Sequence, residues 1–234
     1  MGFAIVAGGN PGMAVPTKPP IDFASATWAE VIEACQNNEV PETWVVGSQK
    51  NMDINGTSYP IDIIGKNHDT YSDGSGTAPL TFQMHDCYAT TYSMNSQSTN
   101  KGGWTSCAMR STHLPAILAL MPTEVQNGIR EVNKLTSAGS QSTTISTTAD
   151  KLFLLSEIEI FGSVSYSESG EGMQYDYYKA GNSKVKTRNG SADGWWERSP
   201  RGTHSSYYCY VGSNGDYASN GATVKHGVAF AFCF

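Results

Sequence analysis

The sequence predicts an α+β domain, and three observations carry the prediction. Apolar residues recur at helical spacing in the first two thirds of the chain, short runs alternate with a period of two beside turn signals, and from Gly162 onward Gly, Ser, Asn and Tyr dominate. Two or three helices, short antiparallel strands and long ordered loops follow. Of the 234 residues, 39% are hydrophobic and only 15% charged, against about 25% charged in ordinary soluble proteins. Charge-driven disorder is therefore excluded, and one domain, with at most a small appendage, is expected.

Residues 1–22 carry Gly8-Gly9-Asn10-Pro11-Gly12 and Pro16, Pro19 and Pro20, which cannot continue a helix or a central strand. They read as an extended tether or docking arm ahead of a domain over residues 23–234. Thr27-Trp28-Ala29-Glu30 is a capping box, and Trp28, Val31, Ile32 and Cys35 form one apolar stripe, so a helix is expected from Trp28 until Pro41 stops it. Asn55-Gly56 between Met52–Ile54 and Thr57–Tyr59 predicts a type I′ hairpin whose second strand runs on through Ile61–Ile64. A polar loop over 68–77 precedes an alternating strand at Leu80–Met84. Helical spacing covers Trp104–Met121, and Pro122 opens a further helix expected to reach Leu135. Ser137–Thr148 reads as an exposed loop or weak strand, and Lys151–Leu155 as a buried strand.

Fifteen Lys plus Arg against 21 Asp plus Glu give a net charge of -6, the wrong sign for a sheath of phosphate contacts. Nucleic acid is excluded as a partner. No apolar run reaches the ~20 residues of a membrane span, and the N-terminus lacks the basic flank of a signal peptide. Cys35, Cys87, Cys107, Cys209 and Cys233 include no CxxC pair, so buried reduced thiols are expected instead of a zinc site or a complete disulfide framework.

The informative segment is Thr203–His226. It contains four Tyr, four Ser, three Gly, two His and two Asn. Tyr offers a large amphipathic contact surface with two χ angles to freeze, while Ser, Gly and Asn adapt their hydrogen bonding, as in antibody paratopes. The stretch lies between Trp195-Trp196 and the Phe230/Phe232/Phe234 alternation, two rigid anchors such as a binding loop needs. Many of its residue types are also reachable from an asparagine codon by replacing adenines.

Gly194-Trp195-Trp196-x-Arg198-Ser199-Pro200-Arg201, the polar residues after it and Gly227-Val228-Ala229 resemble a bacterial and phage domain family with a WW-x-RSP signature. Asp150–Ser156 and Trp104–Arg110 fit the same pattern, and the resemblance covers roughly residues 23–234. The family resembles the variable proteins of diversity-generating retroelements, in which a C-type-lectin fold of the formylglycine-generating-enzyme branch displays residues altered by mutagenic reverse transcription. The resemblance implies a C-type-lectin-like domain and a ligand-binding face formed by Thr203, His204, Ser206, Tyr207, Tyr208, Tyr210, Gly212, Asp216, Tyr217, Ala218, Ser219, Asn220, Thr223, Val224, Lys225 and His226. Cys209, Val211, Gly215 and Ala222 read as scaffold between them. Tyr207, Tyr210 and Tyr217 are expected to dominate the contact energy. Trp195 and Trp196 are expected to fill the core beneath, and Arg198 to be a structural hydrogen-bond hub.

The function these expectations imply is non-enzymatic. A host-surface protein or glycan is the ligand, the N-terminal arm contacts other virion or surface proteins, and the location is a phage tail or cell surface, with no cofactor and no membrane insertion. His68-Asp69, Asp73 and His85-Asp86 invite a metal reading, but Tyr71 stands where a calcium loop needs its second oxygen. No catalytic or metal residues are assigned. The alternatives are an enzyme on the same fold, for which only Cys209 and Cys233 are candidates by position, and a structural virion decoration.

Overall fold

The computed structural model describes residues 21–234. All but the last two residues of the expected tether lie outside the described residues. Helix α1 spans Trp28–Gln36 with both halves of the capping box formed, and it buries Trp28, Val31 and Cys35. It ends before Pro41, because Asn38 takes a left-handed φ of 56°. Strands β1 (Gln49–Ile54) and β2 (Thr57–Lys66) form the expected hairpin, with φ of 52° at Asn55 and 78° at Gly56. Strand β3 is Leu80–Met84 and β4 is Tyr92–Ser93.

The expected helix over 104–121 is broken into α2 (Gly103–Ser106), a π-helical turn (Met109–His113) and α3 (Leu114–Leu118). Cys107 is extended, and Asn95 Oδ1 and Met94 O take the Ala108 and Met109 N–H groups out of the helical ladder. Helix α4 covers only Thr123–Gly128, not the stretch to Leu135. Its end is pulled into the sheet, the Arg130 N–H donating to Cys233 O at 3.0 Å, and β5 (Val132–Ser137) pairs with β6 (Ile145–Asp150). The alternation Val132, Lys134, Thr136 is a strand period in which the polar members are buried. Lys151–Leu155 is buried from Leu152 onward but is not a strand: it bends at Lys151 and Leu152, and only Phe153 forms a β-bridge, with Ala231.

Helices α5 (Glu157–Phe161) and α6 (Asp176–Lys179) precede the β7 (Lys186–Arg188) and β8 (Ser191–Asp193) hairpin. The chain closes with β9 (Trp195–Pro200), β10 (Tyr207–Val211), β11 (Tyr217–Gly221), β12 (Lys225–His226) and β13 (Ala231–Cys233). Strand order is β1-β2-β3-β13 in one antiparallel sheet and β11-β10-β9 in another, with three two-stranded sheets, β12-β4, β5-β6 and β7-β8. The architecture is mixed α and β, with few helices and several small antiparallel sheets. Among the described residues no helix is long and apolar enough to cross a membrane.

The last strand therefore closes against the first ones. Phe82 and Phe232 stack at 5.3 Å, and Phe23, Trp28 and Phe234 surround them. Every residue of β9 is buried. Arg198 is a hub: it donates to Leu135 O, Thr136 Oγ1, Leu154 O and Glu171 O and forms a two-pronged pair with Glu159. That pairing and the Lys134 ammonium hold the Glu159 carboxyl below its usual range despite burial.

Two other buried carboxyls move the opposite way. Burial pushes Glu171 up to about 7. Burial, with Glu157 and Glu171 nearby, pushes Glu197 well above its usual value, and neither Glu197 oxygen has a hydrogen-bond partner among the described residues. A carboxyl raised on folding stabilises fully below its unfolded pKa and loses that contribution as pH rises towards the folded value. The melting temperature of Glu171→Gln relative to wild type is accordingly expected to rise between pH 4.5 and 7, with Glu197→Gln acting in the same direction; a difference that shrinks over that window contradicts the assignment.

Candidate functional site

Strand β10 pairs with both β9 and β11, so the hairpin over 207–221 is laid directly on the buried Trp-Trp strand. Both indoles serve the core, on opposite sides of the strand. Trp195 Nε1 donates to Lys184 O at 2.9 Å, and Trp196 Nε1 donates to Tyr92 O at 2.8 Å. The segment after Arg201 is then gripped through its main chain. The Asn100 side chain donates to His204 O and Tyr207 O, both at 2.7 Å, and its N–H donates to Ser205 O. Gln141 Nε2 donates to Thr203 O at 3.2 Å, Arg201 N–H to Tyr207 O, and Asn95 N–H to Ala222 O. A backbone carbonyl is the same in every residue type, so these contacts survive a change of side chain.

Thr203, His204, Asp216, Thr223, Val224 and Lys225 are exposed. Ser206, Tyr207, Tyr210, Tyr217, Ala218, Ser219, Asn220 and His226 are half-buried. Two expected display positions are not displayed. Tyr208 is fully buried and its hydroxyl donates to Gly103 O at 3.0 Å, making it a pillar against α2. Gly212 is buried at the turn, its N–H donating to Asp216 O at 2.8 Å, and a Cβ there would meet Asn214 Oδ1 at 2.8 Å. Of the expected scaffold positions, Cys209, Val211 and Ala222 are buried, and Gly215 adopts a φ of 86° that favours glycine.

The displayed rings lie on two faces. Residues opposed across an antiparallel pair share a face, which groups Tyr210 with Ala218, Tyr208 and Asn220, and groups Tyr207, Tyr217 and Ser219 on the other side. On the first face the His226 ring stacks on Tyr210 at 4.1 Å and stands edge-on to Trp196 at 4.6 Å. Asn220 Nδ2 lies 3.2 Å from His226 Nε2. Cross-strand from His226 is Tyr92, and the Tyr92 ring packs on His113 at 4.5 Å. Burial lowers the affinity of both imidazoles for a proton, helped at His113 by Lys225.

Tyr92 and His113 extend this aromatic patch and were not expected from sequence, since β4 and the π-helical turn join it only through the β12-β4 pairing. On the second face Tyr217 stacks on Phe161 at 3.8 Å, with its hydroxyl 2.8 Å from Ser163 Oγ. His204 stacks on Tyr207 at 4.7 Å, and Arg201 Nη1 donates to Ser219 Oγ at 2.7 Å.

The groups considered for other chemistry have protein partners. Asp69 accepts from Lys134, Tyr175 and Thr81, Asp73 from Arg130, and Asp86 from Thr187, while His85 pairs with Asp62 at 2.7 Å. Among the described residues no three His, Cys, Asp or Glu side chains converge as a metal site. All five cysteines are free and buried, and burial pushes the Cys209 and Cys233 thiols well up, away from a reactive thiolate.

No curated protein and no solved structure matches this chain. Residues 80–234, which hold the Trp-Trp strand, the hairpin and the closing strand, match one family: the chain belongs to the family described as Domain of unknown function (DUF6273).

Proposed function

We propose that this chain is a non-enzymatic ligand- or receptor-binding protein whose C-type-lectin-like domain presents a changeable surface, in the manner of the variable proteins of diversity-generating retroelements. The display site is a phage tail or a cell surface, and the ligand is a host-surface protein or glycan. One observation carries the reading: the frame holds Thr203–Ala222 chiefly by main-chain carbonyls, at Thr203, His204, Ser205, Tyr207 and Ala222, while most side chains of the segment reach solvent. A surface selected to change needs a grip that is indifferent to identity. The diversified set is Thr203, His204, Ser206, Tyr207, Tyr210, Asp216, Tyr217, Ala218, Ser219, Asn220, Thr223, Val224, Lys225 and His226. Tyr92 and His113 form a constant flank.

The neighbouring DNA tests the diversification directly. A near-identical repeat of the segment's coding sequence, differing at adenines and lying beside a reverse transcriptase gene, is expected, with its differences falling outside the codons of Tyr208, Cys209, Val211 and Gly212. A locus without such a repeat contradicts diversification. Binding is tested by displaying a library of the set on phage and selecting it against immobilised streptavidin. Binders are expected to lose about 2 kcal/mol or more when an aromatic in the selected face is cut to Ala. Failure to recover any binder contradicts the display role.

A further inference from the structure

A cavity of about 250 Å³ lies apart from the display hairpin, lined among others by His68, Asp69, Lys134, Glu159, Gly172 and Met173. Its floor is ionic. Lys134 is buried between Asp69 Oδ1 at 2.7 Å and Glu159 Oε1 at 2.8 Å, with the Tyr175 hydroxyl at 3.1 Å as its third partner. Three partners exhaust an ammonium's three donors. The lining then carries two carboxylates and one spent cation, and Arg198 lies behind Glu159.

His68 forms one wall, stacked on Tyr175 at 3.8 Å. Its Nε2 is 3.1 Å from Met173 O, and a carbonyl only accepts, so Nε2 carries a proton; when the ring holds one proton, Nδ1 is a lone pair. That Nδ1 is buried and has no hydrogen-bond partner among the described residues, and it faces Asp69 Oδ2 at 3.6 Å. Two acceptors facing each other are unfavourable until a donor comes between them. The same lining includes two exposed apolar side chains, Met173, 71% accessible, and Leu135, 38% accessible. Gly172, at a φ of 121°, packs directly on this floor: a Cβ there would clash with Glu159 Oε1 at 2.8 Å, so only glycine fits without displacing the carboxylate.

We propose that this cavity binds a primary ammonium group on an apolar stem, the head donating to His68 Nδ1 and Asp69 Oδ2 and the stem lying along Leu135 and Met173. An anionic head would find no free donor, because Lys134 is spent on Asp69, Glu159 and Tyr175 and Arg198 on Glu159, and it would face the Asp69 carboxylate beside an imidazole lone pair. The inference does not depend on the display reading.

The test titrates the full chain with n-pentylamine, n-pentanol and pentanoate at pH 8, following the His68 ring by nitrogen-15 NMR. Saturable binding of the amine that shifts Nδ1 is expected, with the alcohol about ten-fold weaker and pentanoate inert. His68→Phe, which keeps a ring on Tyr175, should abolish amine binding, read for this variant by titration calorimetry. Met173→Lys, at an exposed position, should weaken amine binding about ten-fold by placing a competing cation at the rim, leaving the fold untouched. Nα-acetyl-lysine methylamide separates the sources: binding as tight as pentylamine identifies a lysine side chain, and exclusion identifies a free amine. Equal binding of the alcohol, no response to the amine, or a doubly protonated His68 in the free protein at pH 8 would overturn the proposal.

Discussion

Arg198→Met is expected to destabilise the fold by about 3–5 kcal/mol or more, because it removes one member of a buried ion pair and leaves the other behind. The guanidinium is fully buried and serves five residues at once: Leu135, Thr136, Leu154, Glu159 and Glu171. Methionine fills much of the volume, so the loss is electrostatic and hydrogen-bonding, not a cavity. Lys134 still pairs with Glu159, but the carbonyls of Leu154 and Glu171 lose the guanidinium as a donor. At about 2–4 °C per kcal/mol for a domain of this size, the melting temperature should drop on the order of 10 °C. A thermal unfolding curve superimposable on wild type would show that Arg198 is not the joint between β9, β5 and α5.

Trp196→Ala has a comparable cost, about 3–5 kcal/mol for a buried indole, and a functional consequence as well. Trp196 touches the core through its N–H bond to Tyr92 O and the display face through its edge-on contacts with Tyr210 at 5.8 Å and His226 at 4.6 Å. Truncation should loosen the His226–Tyr210 stack, read as a shift of the His226 ring resonances towards solvent-exposed values. Trp195→Ala should cost about the same stability. Its indole points to Lys184 and Lys186, so the His226 resonances should move little. If both variants perturb His226 equally, the two indoles do not divide their work between core and face.

Much of this was legible locally. The Thr27–Glu30 capping box, the Asn55-Gly56 turn and the Leu80–Met84 strand are decided by neighbours within four residues and stand as the sequence implies, although Thr81 and Gln83 are buried along with their apolar neighbours. Misread elements depend on distant partners. Lys134 looks like the polar side of a helix, yet it is buried in a strand because Asp69 and Glu159 neutralise it. Lys151–Leu155 has strand composition but finds only one bridging partner, Ala231.

Within the display segment, composition marked the whole stretch and topology sorted it. Tyr208 has the same side chain as Tyr207 and the opposite fate, because alternation along β10 turns it onto α2. Tyr92 and His113 carried no signal, since their role arises only when β4 pairs with β12 far along the chain. The buried frame and the exposed segment also make different demands on stability: the first is held by side chains, the second by its backbone.

That division is most directly measured by saturation mutagenesis of residues 195–234, with protease resistance of each variant as the readout of folding. Broad tolerance is predicted at Thr203, His204, Asp216, Thr223, Val224 and Lys225, and intermediate tolerance at Tyr207, Tyr210, Tyr217 and His226. Residues 195–200 and 227–234, with Tyr208, Cys209, Val211 and Ala222, should be intolerant. Equal sensitivity across the hairpin and the frame would contradict the account.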